Sequence, residues 1–495
     1  MKKKIQFSLV YRDMWQSSGK FQPRKDQLAK IAPVIIEMGC FSRVETNGGA
    51  FEQVNLLAGE NPNEAVRAFC KPFNEVGIKT HMLDRGLNAL RMYPVPDDVR
   101  ALMYKVKAKQ GTNITRIFDG LNDVRNIIPS IKWAKEGGMT PQCALCITNS
   151  PVHTLEYYMN IADQLIAAGA EEICLKDMAG IGQPAFLGKL TKMIKDKYPE
   201  IIIQYHGHSG PGLSMASILE VCNNGADIID TAIEPLSWGK VHPDVISVIS
   251  MLKNEGFEVP EINMSAYMKA RAMTQEFIDE WLGYFINPGN KIMSSLLLGC
   301  GLPGGMMGSM MADLGGMRQT INNIRKKKDA HTLLSNALDD FKKEMDENGW
   351  EYGEDDEELF ELAMHPEQYR NFKSGQAKKN FLADLQKAKD AKLGSTLTPA
   401  QLAEFKHAKA DAIVAPVAGQ IFWEFQGEGE CQPAVEPFIG KEYKEGDAFC
   451  YILAPWGEFE TVPAALGGKL VEINAKQGSK IRKGDVIAYI EREAE

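Results

Sequence analysis

The 495 residues are too many for one ordinary domain and predict two to four. With 44% hydrophobic and 24% charged residues, the chain has the composition of a globular protein stable in water. Its net charge of −9 argues against a general nucleic-acid surface, whose expected footprint is a basic patch.

Met1 to Lys4 precede a short run, IQFSLVY, that contains Gln6 and Ser8 and meets Arg12 and Asp13, so it reads as a strand and not an export signal. No apolar stretch is long enough to predict a membrane span. Nine cysteines without a small secreted framework predict reduced thiols and a cytoplasmic location. Cys143 and Cys146 form a CxxC, but residues three apart on a strand face opposite ways, so they are read as buried thiols.

Eight strand-like runs follow in order: 5–10, 41–45, 78–81, 114–118, 143–148, 172–176, 201–206 and 227–231. Helical patterns such as 24–38, 62–75, 96–109 and 152–168 lie between them. Eight alternations predict an α/β fold of the (β/α)8 TIM-barrel kind over residues 1–255. No Gly-rich phosphate loop follows the first strand, which weakens an open dinucleotide-binding sheet.

Residues 256–345 predict a helical extension rich in Met. Its GxGxxG match, Gly299, Gly301 and Gly304, follows a helical pattern and is read as a loop or helix junction. The basic run Arg325 to Lys328 reads as a solvated helix end. Residues 346–408 predict a charged helical region, with the acidic run Glu354 to Glu361 as a solvated face. It ends in a linker helix, LTPAQLAEFKHAKAD, capped near Thr396 or Thr398. Residues 409–495 predict a small β-sandwich in which VAPVAGQIFWEF and EYKEGDAFCYIL are echoed by VPAALGGKLVEI and GSKIRKGDVIAYI.

Strand seven ends in YHGHSG, which puts His206 and His208 on one face at a strand mouth, where both can reach one ion. Catalytic groups of such barrels sit at the C-terminal ends of strands. Those positions here hold Asp13, Glu45, Asn47, Asp84, Arg85, Asp119, Thr148, Lys176, Asp177, Asp230 and Thr231 besides the two histidines. Asp13, His206 and His208 suit a divalent ion with positions left for a chelating substrate. Lys176 either forms a structural ion pair with Asp13 or ligates as a carbamate formed with CO2.

YRDMWQS (11–17), ETNGGAFE (45–52), RGLNAL (85–90), TRIFDGLND (115–123), SPVHTLEYY (150–158), CLKDMAG (174–180), YHGHSG (205–210) and LPGGM (302–306) come in one order over some 310 residues. This series resembles the biotin-dependent carboxyltransferases acting on 2-keto acids: the carboxyltransferase domain of pyruvate carboxylase, the oxaloacetate decarboxylase α subunit and the keto-acid subunit of transcarboxylase. The resemblance implies a metal site of Asp13, carbamylated Lys176, His206 and His208 holding zinc, manganese or cobalt. It implies Gln16 and Arg85 as catalytic and substrate-binding residues on pyruvate or oxaloacetate, and a homodimer within a multisubunit complex.

Two departures accompany it. The family's proton-shuttling threonine is replaced in EPLSWGKVHP by Gly239 or Lys240, with Thr231 the nearest threonine. The C-terminal domain resembles a biotinyl or lipoyl carrier, but Trp456 in LAPWGE takes the place of the biotin-bearing lysine. Biotin is therefore expected on a separate carrier protein among other carboxylase or decarboxylase subunits. A biotin-independent metal-dependent aldolase or lyase, or a non-catalytic scaffold subunit, are the alternatives.

Overall fold

A computed structural model describes residues 3–299, 337–396, 410–425, 434–465 and 467–491. Gly301, Gly304, the LPGGM motif, the Arg325 to Lys328 run and Thr398 lie outside the described residues. Two compact units, Met1–Leu385 and Gln386–Glu495, divide the chain.

In the first unit, eight parallel strands close into a barrel: β1 (Gln6–Leu9), β2 (Phe41–Gly48), β3 (Lys79–Asp84), β4 (Ile114–Ile117), β5 (Thr140–Cys146), β6 (Glu172–Asp177), β7 (Ile202–Gly207) and β8 (Ile228–Thr231). Each strand pairs with the next, and β8 returns to β1 with Asp230 opposite Ser8. All eight expected strands are present. The fifth starts three residues earlier than its apolar run, because Pro141 sits near the strand start, where a missing N–H is tolerated.

Alternation sorts the strand residues. Ile173, Leu175, Ile203, Tyr205 and Ile229 join the core under the helices. Glu172, Lys176, Gln204, His206 and Asp230 face the axis, where the barrel is polar from end to end. Arg43 grips Glu172 with both terminal nitrogens at 2.6 and 2.8 Å. Gln142 Nε2 donates to Glu172 at 2.7 Å and to Gln204 at 2.9 Å, and Arg116 Nε donates to Gln142 at 2.6 Å. Gln204 and Arg116 both donate to Asp230, which carries the network up to His206.

The helices follow from local signals. In Pro62–Glu75, Asn61 caps the start by accepting from Asn63 N at 3.0 Å, and Pro62 takes the first turn, where a missing N–H does no harm. Ala65, Val66, Phe69, Cys70 and Phe73 form its buried stripe, with Phe69 against Tyr11 at the barrel mouth. Helix 264–280 is tied to helix 25–37 by Lys30 to Glu276 at 2.9 Å and Arg24 to Glu280 at 2.7 Å.

The acidic run, expected to be a solvated face or connector, is exposed at Glu354, Asp355 and Asp356 but turns inward from Glu357. Helix Glu357–Met364 buries every residue except Glu358. Glu361 is fully buried beside Lys107 at 3.4 Å, and Lys107 also meets Glu52 at 3.2 Å. The apolar residues Leu359, Phe360, Leu362 and Met364 drew this charged segment inward, where Lys107 compensates it. Cys143 and Cys146 are buried and form no disulfide. No helix among the described residues is long and apolar enough to cross a membrane.

The second unit contains β9 (Ala410–Val414), β10 (Gly419–Phe422), β11 (Glu424–Phe425), β12 (Ala434–Val435), β13 (Glu442–Tyr443), β14 (Ala448–Leu453), β15 (Phe459–Pro463), β16 (Gly468–Ile473), β17 (Lys480–Ile481) and β18 (Val486–Glu491). One antiparallel sheet runs β15-β14-β10-β17 and the other β13-β16-β18-β9. Exchanging β9 with β15, β10 with β16, β13 with β17 and β14 with β18 turns one order into the other, so the sequence echo is a quasi-twofold. Trp456 sits on the β14–β15 turn, 59% exposed.

Candidate metal centre and substrate pocket

Strand β1 runs directly into helix 11–18, whose first turn brings Arg12 and Asp13 over the barrel mouth. Strand β7 delivers His206 and, one step past its end, His208. Asp13 Oδ2 lies 3.6 Å from His206 Nε2 and 3.2 Å from His208 Nε2, and the two ring nitrogens are 3.1 Å apart. A third ring, His242, which sequence reasoning missed, approaches the same carboxylate oxygen at 3.1 Å through Nε2. All four residues are buried.

The outer hydrogen bonds decide what these atoms can accept. His206 Nδ1 meets Asp230 Oδ2 at 2.7 Å, and His208 Nδ1 donates to the Lys240 carbonyl at 2.6 Å. A proton on Nδ1 of each ring leaves a lone pair at each Nε2, turned toward the other ring and toward Asp13. Such an inward set of acceptors fits a cation, and rings oriented by a carboxylate and a carbonyl have the usual outer shell of a metal site. Burial pushes His206 well below the ordinary imidazole range, reinforced by Lys176 and His242, which keeps that ring neutral. Burial alone would raise Asp13, but above all the Arg12 guanidinium holds it well below the usual carboxylate range. Burial would also raise Asp230, and Arg116 keeps it ionised.

Lys176 makes no ion pair with Asp13 among the described residues. Its Nζ lies 3.0 Å from His206 Nε2 and 5.4 Å from the Phe118 ring centre. Burial lowers its pKa against the pull of Asp13.

A second cluster adjoins this cage. Arg12, fully buried and also missed from sequence, reaches Glu45 Oε1 at 3.0 Å, Asp13 Oδ1 at 3.3 Å and the Gly49 carbonyl at 3.2 Å, and donates to Gln16 Oε1. Gln16 is thereby turned so that its amide nitrogen points away from Arg12, and that nitrogen has no hydrogen-bond acceptor among the described residues. Arg85 Nη1 donates to the carbonyls of Leu90 and Arg91 at 3.0 and 3.3 Å, and no carboxylate faces it among the described residues. A Cβ at Gly49 would come within 2.9 Å of the Arg85 guanidinium carbon, so glycine lets the two arginines flank one backbone segment. Burial lowers Arg85 to about 10, still cationic at neutral pH. A half-buried guanidinium that forms no salt bridge among the described residues suits a small carboxylate substrate.

The remaining strand-end residues serve elsewhere. A register shift between Glu45 and Asn47 sends Asn47 toward Thr112 at 3.2 Å. Asp84 accepts from Tyr104, and Asp177 accepts from the N–H groups of Ile181 and Gly182 at 2.9 Å. Asp119 accepts from the N–H groups of Leu121 at 2.9 Å and Asp123 at 3.1 Å, and Thr148 N donates to Tyr158 at 2.9 Å. Thr231 donates to the Ser8 carbonyl at 3.3 Å and alternates away from Asp230 along β8. Lys240 is exposed, while a Cβ at Gly239 would meet the Asn290 carbonyl at 2.4 Å.

A closed parallel barrel with its polar cluster at the strand C-termini defines the class, and comparison narrows it. Residues 58–273 match the HMGL-like family model. The chain is 32% identical over 306 residues to the pyruvate carboxylase B subunit of Methanocaldococcus jannaschii, covering 62% of this chain and 53% of that protein. It is 31% identical over 308 residues to the methylmalonyl-CoA carboxyltransferase 5S subunit of Propionibacterium freudenreichii subsp. shermanii, covering 62% and 60%. These alignments span little more than half of the relatives. The carboxyl transferase domain of Rhizobium etli pyruvate carboxylase, solved with pyruvate and biocytin, shares the fold at a TM-score of 0.65 and 22% identity, over 76% of this chain and 78% of that one.

Proposed function

We propose that the chain is a metal-dependent carboxyltransferase subunit that moves a carboxyl group between biotin on a separate carrier and a 2-keto acid, pyruvate or oxaloacetate. The observation that carries this reading is the cage of Asp13, His206 and His208 lying next to the carboxylate-free Arg85. Its relatives are carboxylase and carboxyltransferase subunits. Zinc, manganese or cobalt, held by Asp13, His206, His208 and Lys176 as its carbamate, would polarise the keto oxygen and stabilise the enolate charge.

Arg85 pairs with the keto acid's carboxylate, and the Gln16 amide donates to its keto oxygen. Arg12 fixes Gln16 and Asp13 together, so substrate and cage keep one spacing. Decarboxylation of oxaloacetate leaves the C–C electron pair on the enolate carbon, the carboxyl passes to biotin nitrogen, and the proton displaced there completes pyruvate. Trp456 leaves this chain's own β unit without a lysine for biotin at the turn, which is why the carrier is a separate protein. A homodimer working in the cytoplasm with other carboxylase subunits completes the proposal.

Metal-loaded protein, oxaloacetate and biotin, free or on a carrier, should yield pyruvate. Arg85→Gln should lower kcat/KM by about 10- to 100-fold, mainly through KM, as expected for a lost charge-assisted pair. No pyruvate from any such mixture would end the proposal. A second reading, a biotin-independent aldolase or lyase, is favoured by Lys240 and the inward tie of Thr231. Cleavage of a 4-hydroxy-2-keto acid without biotin would select it.

A further inference from the structure

The turn after β8 carries more than the place of a missing threonine. Trp238 adopts φ 72°, a strained value for a bulky side chain, and Gly239 adopts φ 61°. The turn is pinned by Trp238 N to His242 O at 2.8 Å, Val241 N to Trp238 O at 3.0 Å and Lys240 N to Asn290 O at 2.8 Å. It does two things at once: the Lys240 carbonyl orients His208, and His242 is driven into the cage.

His242 is fully buried, with its ring centre 4.3 Å from that of His206 and 4.2 Å from that of His208. Its Nδ1 is buried without a hydrogen-bond partner, and its Nε2 faces the Asp13 carboxylate, so a cation bound there takes the place of the Nε2 proton. Nε2 can therefore present a lone pair, as the other two rings do. Four donors at about 2.0–2.1 Å from one ion lie about 3.3 Å apart in a tetrahedron. Asp13 Oδ2 stands 3.6, 3.2 and 3.1 Å from the three Nε2 atoms, and His206 Nε2 stands 3.1 Å from His208 Nε2. These four spacings are close to those of a shared ion, and the ligand atoms of all four residues lie within 4.8 Å of one another. A histidine kept here only to hydrogen-bond Asp13 would not require three imidazoles to converge.

We propose that His242 is the fourth protein ligand of the metal centre, taking the coordination role that the sequence resemblance gives to carbamylated Lys176, and that Lys176 stays unmodified. The proposal rests on the metal reading above and changes its ligand set. The site then assembles from the chain alone, with no need for CO2 to complete it.

The test uses the full chain, stripped by a chelator and titrated with Zn2+ and Co2+ in CO2-free buffer against a competing chromophoric chelator. Wild type should bind tightly without bicarbonate, and Lys176→Met should stay within about tenfold of it, the lower limit of an outer-shell effect. His242→Gln keeps a donor for Asp13 but removes the imidazole; it should lose more than about 100-fold, beyond what an outer partner is worth. X-ray absorption of the zinc-loaded wild type needs no variant and should count three imidazoles. Two imidazoles, an unchanged His242→Gln, or an affinity that collapses only in Lys176→Met would overturn the assignment. A wild type that binds neither ion would remove the metal reading with it.

Discussion

The two units of this chain solve opposite problems. The barrel unit buries Arg12, Arg43, Glu45, Arg116, Lys176, His206 and Asp230, whereas among the described residues 410–491 no charged, amide or histidine side chain is buried. Charges are taken out of water only when partners compensate them, and unfavourably even then. Within the barrel unit one such group, Lys107 with Glu52 and Glu361, lies at the helices, while the network from Arg43 to His206 gathers along the axis and points to the mouth as the place of the chemistry. The β unit, with Ile421, Trp423, Phe449, Ile452 and Ile490 as its core, keeps its distinguishing groups outside, with Trp456 and Phe459 both more than half exposed.

The contrast can be broken most sharply by His208→Ala, which should reduce metal affinity and pyruvate formation more than about 100-fold while the β unit stays folded. Calorimetry alongside metal analysis would separate the two responses. Ile452→Ala should do the reverse, destabilising the β unit by about 2–5 kcal/mol through cavity formation and leaving metal binding by the barrel intact. A pH series sharpens the comparison further. Burial raises Glu361 to about 8, with Lys107 opposing and Glu52 reinforcing. A carboxyl raised on folding binds its proton more tightly in the native state, so its contribution is complete below its unfolded value and fades as pH rises through about 8. Wild-type barrel Tm should therefore fall between pH 5 and 9 more steeply than that of Glu361→Gln, while the Tm of the β unit is the same in both. The smallest effect belongs to Trp456→Ala, expected to shift β-unit stability by less than about 0.5 kcal/mol because the side chain is exposed. A larger loss would show the indole to be structural.

Much of the barrel was legible because its outward strand residues are apolar and its strands recur at regular intervals. The HxH pair at the end of β7 and Asp13 after β1 were legible by position alone. Arg12 was hidden by its neighbour, being taken as the polar end of a strand. Arg116 lies between Thr115 and Ile117 in a four-residue strand, and alternation against the outward Ile117 would have turned it inward had the charge been weighed. His242 had the weakest signal: it lies in a turn beyond β8, where no periodicity ties it to His208 and the absent threonine is the more conspicuous feature. The acidic run misled because its charges outnumbered the apolar stripe that decided its burial.

The polar axis has a consequence for assembly. Arg43 and Glu172 are 129 positions apart, and their partners Gln142 and Gln204 come from two further strands. A slip of one residue in β2 or β6 would turn its inner set toward the helices and strand a charge in the oily layer. Only one alignment of the sheet satisfies every member of the chain that ends at His206. The barrel thus proofreads its own closure, and the same bonds that reject a misthreaded sheet aim the imidazole at its ion.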